Sequence, residues 1–370
     1  MSNSGVKIKC FRYRLYPTRA QETALGTALD TLRLVYNSLL NERKFLYETT
    51  GNGISQYGQE KHFAAWRKKF PELAEVHSHL LQNVALRVNL AFTAFFRRVK
   101  AGETPGFPRV KGKGQYDSLT FKEFGNGVSF KQGGLFVSKI GHIKGKFHRP
   151  TEGTPKTATL RRQAGKWFVC IACEVMPEAL PPSSEQVGID VGLKTFAALS
   201  NGEFIENPRF FRKEEKALAK AGRKQAETKK RSPARRKANK VLARVLARIH
   251  ERVRNRRHDF CHQNARRIVN RFGVIAVEKL NVKGMVQNHS LAKSISDAAW
   301  SSFRECLTSK AESASREVYA VAPAYTSQDC SACGYRAKKT LSARWHLCPM
   351  CGASLDRDTN AAINILNQHP

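Results

Sequence analysis

The sequence predicts an α+β chain of more than one domain, and three observations predict it. A helical stretch followed by short, turn-punctuated strands fills the N-terminal half. Strands alternate with helices in the C-terminal half, and the Pro/Ser-rich segment "VMPEALPPSSEQ" lies between them. At 370 residues the chain is long enough for two or three domains with cores of their own. The boundary is expected near Ser184.

The N-terminal elements follow in order. "KIKCFRYRLYPT" alternates apolar or aromatic residues (Ile8, Cys10, and Phe11 or Tyr13 by register) with basic ones, which reads as a strand with one cationic face. Thr18 and Gln21 make a capping-box pattern, after which Leu25, Ala28, Leu29, Leu32, Val35, Tyr36 and Leu39 keep helical spacing. A second helix is expected from about Leu80 to Val99. It ends in "RRVKAGETPGFPRVKGKG", a Pro/Gly/basic loop where β structure resumes. From "SLTFKEF" to "KWFVCIACEV" short strands alternate with glycine turns, the pattern of a small barrel or sandwich.

In the C-terminal half, Val187 to Leu199, a type I′ turn at Asn201-Gly202, and Glu203 to Ile205 are expected as a β-hairpin. A basic helical region from about Arg212 to Phe272 is interrupted at Ser232-Pro233. "VIAVEKL" reads as a buried strand, "SISDAAWSSFRECLTSKAES" as a helix and "VYAVAP" as another strand, so this half is expected to hold an α/β sheet.

Charge narrows the partners. Sixty-four Lys and Arg against 30 Asp and Glu leave a net +34, a self-repulsion that calls for a polyanion. Nucleic acid is the first candidate. An anionic membrane surface is the other, but the sequence has no apolar run of about 18 residues to span a bilayer. The N-terminal segment has no signal-peptide apolar region, which points to the cytoplasm. Nine cysteines in such a chain argue for metal binding or buried thiols over disulfides.

Three acids stand in similar places: Asp190 inside an apolar strand, Glu278 near the end of "VIAVEKL", and Asp358 at the start of the apolar helix "DRDTNAAINIL". Singly, each has a plainer reading. Asp190 would serve as a turn-facing acid, Glu278 as a partner for Lys279 or an arginine, and Asp358 or Asp356 as a helix N-terminal acid. Together they would be costly unless a cation offsets them. Mg²⁺ suits carboxylates with water and phosphate. Two such ions about 4 Å apart can activate water and stabilise the leaving oxygen of a phosphodiester.

"CSACGYRAKKTLSARWHLCPMCG" carries two C-x2-C knuckles, Cys330 with Cys333 and Cys348 with Cys351, each followed by glycine. Four thiolates predict one tetrahedral structural Zn²⁺, with His346 the alternative ligand. Cys170 and Cys173 share the spacing, but three residues apart on a strand they face opposite ways. They are expected as core thiols, with Cys10, Cys261 and Cys306. In the basic helix, Leu242, Val245, Leu246, Ile249, Val253 and Phe260 form a stripe ringed by Arg244, Arg248, Arg252, Arg254, Arg256 and Arg257. These arginines read as phosphate contacts along a nucleic-acid backbone.

"VGIDVGLKTFAALSNG", "VEKLNVKGM", "TSQDCSACG" and "DRDTNAAINIL", in this order, resemble the TnpB (OrfB) proteins of bacterial insertion sequences, relatives of the type V CRISPR effectors. "FRYRLYPTRAQE" and "PGFPRVKGK" extend a looser match into the N-terminal half. The resemblance implies an N-terminal wedge β-barrel (about 1–15 and 104–180) with an inserted helical recognition lobe (about 16–103) in residues 1–184. It implies an RNase H-like RuvC domain over 185–370, with a zinc ribbon at about 325–353. It further implies an RNA-guided, Mg²⁺-dependent DNA endonuclease at the nucleoid, with catalytic acids Asp190, Glu278 and Asp358. Its guide RNA would come from the transposon end, and its target would be double-stranded DNA beside a transposon-adjacent motif. In the N-terminal half, Lys7, Lys9, Arg12, Arg14 and the "RVKGKG" loop would touch guide or target. The alternatives are a nuclease-dead RNA-guided repressor and an RNase H-like transposase.

Overall fold

The computed structural model describes residues 5–337 and 343–369; residues 338–342, inside the expected ribbon, the first four residues and residue 370 lie outside the described residues. The chain forms two compact units, Met1–Met176 and Pro177–Pro370. The expected boundary near Ser184 falls in the same strand-free connection. Among the described residues no helix is long and apolar enough to cross a membrane.

The first unit begins with β1 (Lys7–Tyr16), then α1 (Arg19–Thr50), α2 (Gln56–Glu60), α3 (His62–Lys69), α4 (Pro71–Ala74) and α5 (Ser78–Lys100). Six strands follow: β2 (Ser118–Phe121), β3 (Val128–Lys131), β4 (Gly134–Val137), β5 (Gly141–Lys146), β6 (Thr154–Gln163) and β7 (Lys166–Val175). Their antiparallel order, β2-β6-β7-β1-β5-β4-β3, curls into a nearly closed barrel around Phe11, Tyr13 and Leu15. The register of β1 is therefore the one that buries Phe11 and Tyr13, and it leaves Ile8 and Cys10 exposed on the other face with Arg12 and Arg14. Thr18 and Gln21 close a reciprocal cap on α1, whose apolar stripe from Leu25 to Leu40 is buried.

The second unit holds a five-stranded sheet, built from β8 (Gln186–Val191), β9 (Thr195–Leu199), β10 (Phe204–Glu206), β11 (Val274–Glu278) and β12 (Glu317–Val321). Its order is β10-β9-β8-β11-β12, with β8, β11 and β12 parallel and the first three strands antiparallel. Helices α6 (Phe210–Ala226), α7 (Pro233–Arg271), α8 (Val282–Met285), α9 (His289–Ala298) and α10 (Trp300–Ser313) connect them. Strands β13 (Trp345–Leu347) and β14 (Ser354–Asp356) pair beside the final helix, α11 (Arg357–Asn367).

Several expectations are corrected here. Val187 to Leu199 is two strands, because the chain reverses at Gly192–Lys194, where Gly192 N–H donates to Phe196 O at 3.1 Å. The Asn201-Gly202 turn is not type I′. Gly202 (φ 86°) has positive φ and Asn201 does not, so Ser200, Asn201 and Gly202 form a three-residue loop closed by a glycine bulge. The helix expected over "SISDAAWSSFRECLTSKAES" breaks into α9 and α10 at Ala299, which takes the left-handed conformation. Ser232 and Pro233 cap and open α7 as expected. Of the thiols expected in the core, Cys173 and Cys261 are buried, whereas Cys10 is exposed and Cys170 and Cys306 are half-buried. Cys10 lies on the open face of β1 next to Cys170, whose thiol, with Arg12 and Arg149, holds it down to about 7.

The arginines of α7 are not uniformly available to a polyanion. Arg252 and Arg256 bridge Glu214 at 2.9 and 3.5 Å, and Arg257 bridges Asp297 at 2.6 Å. Both acids are buried, so these pairs pin α7 to α6 and α9.

Candidate active site and metal centre

Parallel pairing sets two of the acids side by side. Ile189 on β8 is in register with Val277 on β11, and the next residue on each strand is Asp190 and Glu278. Helix α11 supplies the third. It crosses β8 so closely that a Cβ on Gly188 would lie 1.9 Å from the Ala362 carbonyl oxygen, and only glycine admits that approach. One turn earlier on α11 is Asp358.

Asp356 and Asp358 divide the labour at the start of this helix. The Asp356 carboxylate caps it, accepting from the N–H groups of Asp358 and Thr359 at 2.8 and 3.2 Å. Asp358 is thereby left to face Asp190. Burial, then the charges of Glu278 and Asp358, raise the Asp190 pKa well above the usual carboxylate range. Burial also raises Glu278, against a hydrogen bond donated by Thr326 Oγ1 at 2.9 Å. Asp358 is raised by burial and by Asp356, with Arg344, Arg357 and Lys194 pulling the other way. Trp300, Ser301 and Arg304 of α10 line a recess beside Glu278.

The four cysteines gather as expected. Their sulfur atoms all lie within 4.8 Å of one another, and among the described residues theirs is the one group of three or more His, Cys, Asp or Glu so closely drawn. His346, buried in β13, is outside it. In each knuckle the glycine N–H returns to the first cysteine's carbonyl, Gly334 to Cys330 at 2.9 Å and Gly352 to Cys348 at 3.0 Å. Backbone N–H groups of Cys351 and Met350 bring the Cys348 thiol down to about 6. Four soft donors in this arrangement fit a structural zinc ion. The three carboxylates are a different donor set, hard oxygens that repel one another and are not drawn to that spacing. Hard oxygens of this kind are the donors that Mg²⁺ takes together with water and phosphate.

Three positioning residues escaped the sequence reading. Besides Thr326, Asn360 is fully buried, accepts from Ser331 N–H and donates to Asp329 O, while Asn364 donates to the carbonyls of Thr326 and Asp329. They fasten the base of the cysteine knuckles to α11, and so to Asp358. They stand inside the quoted "TSQDCSACG" and "DRDTNAAINIL" segments, yet no periodicity or spacing marks polar residues of this kind.

Comparison with known proteins agrees along the whole chain. Family models match in succession: a "Helix-turn-helix domain" of the OrfB_IS605 type over residues 7–52, OrfB_IS605 "Probable transposase" over 168–289, and "Cas12f1-like, TNB domain" over 300–365. Over the first range this chain forms β1 and the single helix α1. A Streptomyces pristinaespiralis protein named "Putative RNA-guided DNA endonuclease" is 33% identical over 367 residues, 97% of this chain and 88% of that protein. "Putative RNA-guided DNA endonuclease InsQ" of Escherichia coli K12 is 29% identical over 385 residues, 97% and 92% of the two chains. Among solved structures, "Structure of the mini-RNA-guided endonuclease CRISPR-Cas_phi3" aligns with a TM-score of 0.48 at 10% identity, covering 98% of this chain and 92% of that one. Matched at a third identity over nearly its full length, the chain belongs to the TnpB (OrfB) family of insertion-sequence proteins.

Proposed function

We propose that this chain is an RNA-guided DNA endonuclease of a bacterial transposable element, and that it hydrolyses the DNA phosphodiester at Asp190, Glu278 and Asp358. The observation that carries the reading is the convergence of three acids, each with a raised pKa, from two neighbouring parallel strands and a helix start. Asp190, Glu278 and Asp358 would hold the catalytic Mg²⁺ ions, which when bound supply water activation and stabilisation of the leaving oxygen. The chain's own residues do the positioning. β8 and β11 hold Asp190 and Glu278 on a rigid sheet, Thr326 orients Glu278, and the Asp356 cap leaves the Asp358 carboxylate to the cluster. Lys194, Arg344 and Arg357 temper its negative charge beside the place where a phosphate would lie.

The relatives' names support a guide RNA and a DNA target as partners. We assign residues 185–370 as an RNase H-like RuvC domain with its ribbon at about 325–353; a meander joined to two parallel strands supports this. Residues 1–184 are assigned as a wedge barrel (about 1–15 and 104–180) with a helical recognition lobe (about 16–103). The cationic face of β1 would meet the guide scaffold or the target-motif duplex, the guide would come from the transposon end, and the protein would act at the nucleoid.

The test is expression beside the native flanking DNA, sequencing of the RNA that copurifies, and cleavage of the DNA it specifies. A discrete RNA ending in non-element sequence is expected, with Asp190→Ala abolishing cleavage and leaving RNA binding intact. Random or absent RNA would remove the guided reading. Cutting by Asp190→Ala at the wild-type rate would remove the active-site assignment.

A further inference from the structure

Helix α7 carries two histidines one turn apart, in "RRHDFCHQNARR". Residues four apart share a helix face, and here the Nε2 atoms of His258 and His262 lie 3.0 Å from each other, with ring centroids 4.1 Å apart. Without a metal the two rings share a hydrogen bond at that distance, and the same spacing is what one ion asks of two ligands that replace the shared proton. Nitrogens each about 2.1 Å from a metal, in adjacent positions about 90° apart, are themselves about 3.0 Å apart. A tetrahedral angle would spread them further, so the pair matches the square-planar or octahedral geometry of copper and nickel better than that of zinc.

The backbone beneath the pair is fixed. Phe260 packs edge-on against Phe196, and Cys261 is buried in the core, so the two rings stand on an anchored stretch of α7. His258 is exposed and His262 half-buried, which gives an ion access from solvent. Asp259 contributes a nearby carboxylate, while Lys310 and Arg266 oppose a dication and keep the affinity below that of a closed cage. Neither histidine belongs to the carboxylate cluster or to the four-cysteine group.

We propose that His258 and His262 form a two-imidazole site for a divalent transition-metal ion of the nickel or copper type, with its remaining positions open to water or to an outside ligand. The site is independent of the nuclease reading and needs no guide or target.

Ni²⁺ is the probe, titrated calorimetrically into the full-length, zinc-loaded chain with zinc content followed throughout. With the carboxylate cluster removed by Asp190→Ala and saturating Mg²⁺ present, one Ni²⁺ per chain is expected beyond the zinc. His258→Gln and His262→Gln should each weaken it at least about tenfold, the floor for losing even an outer-sphere partner. His250→Gln, two turns back on the same helix, should leave it unchanged. His258 is exposed, so its variant tests the site without a folding penalty. No saturable Ni²⁺ binding, binding unchanged in His258→Gln, or weakening by only one of the two variants would each overturn the chelate.

Discussion

Asp190 follows Val187 and Ile189, both fully buried, and two further acids add to the cost of its charge. Its folded pKa stands above its unfolded one, so between those values the native state binds more protons than the unfolded chain. Stability therefore falls as pH rises through that window. Glu278 and Asp358 are shifted the same way and act in the same sense. Relative to Asp190→Asn, magnesium-free, zinc-loaded wild type should gain stability as the pH is lowered from neutral toward the ordinary carboxylate range, about 4. Asp190→Asn should raise the neutral-pH melting temperature and flatten that dependence, and Mg²⁺ should do the same for the wild type. Melting curves of the two proteins across pH check this, and an Asp190→Asn slope equal to wild type would remove the repulsion argument. Thr326 is open to a complementary test. Thr326→Val deletes the donor to Glu278 and should slow cleavage about 10- to 100-fold, whereas Thr326→Ser keeps the hydroxyl and most of the rate. Equal losses in both variants would assign Thr326 to packing.

At the scale of elements, legibility followed locality. β1, α1, α5, α7 and β11 are written in period and caps, such as the Thr18/Gln21 box and the Ser232-Pro233 start, and all formed. The break at Ala299 carries no Gly or Pro, because it is the packing of Trp300 and Phe303 into the core that bends the chain there. Nor does composition separate Asp356 from Asp358; one caps and the other faces Asp190 only once α11 lies on β8. Gly188 admits that contact. Gly188→Ala puts a Cβ 1.9 Å from the Ala362 carbonyl and 2.8 Å from the Leu366 nitrogen, both backbone atoms, so α11 must move. A destabilisation of about 1–3 kcal/mol is expected, and cleavage should fall further than the folded fraction does because α11 carries Asp358. Cleavage assayed well below the melting point separates the two effects. Full activity in the folded variant would show that the seat of α11 does not set the site.

Charge belongs to the whole molecule, and the +34 balance does not say which cations meet a polyanion. Two kinds are now distinguishable. Arg257 is held at 2.6 Å by the buried Asp297, which also accepts from the Phe211 N–H, so this guanidinium serves the fold. Arg12 stands on the open face of β1, its guanidinium 3.8 Å over the Phe168 ring, with Arg14 nearby and Lys144 and Lys146 on the adjoining strand. A cation that neutralises a phosphate releases a counterion, contributing about 0.7–0.9 to the slope of log K against log salt. Arg12→Gln should therefore lower the slope for RNA binding by about that amount while leaving the melting temperature nearly unchanged. Arg257→Gln should do the reverse, costing about 1–3 kcal/mol through the stranded Asp297 carboxylate with the salt slope intact. Binding isotherms at several salt concentrations, paired with melts of the same variants, read both quantities. A slope that falls in Arg257→Gln and holds in Arg12→Gln would reverse the assignment, making the α7 arginines the nucleic-acid contacts that their density in the sequence suggests.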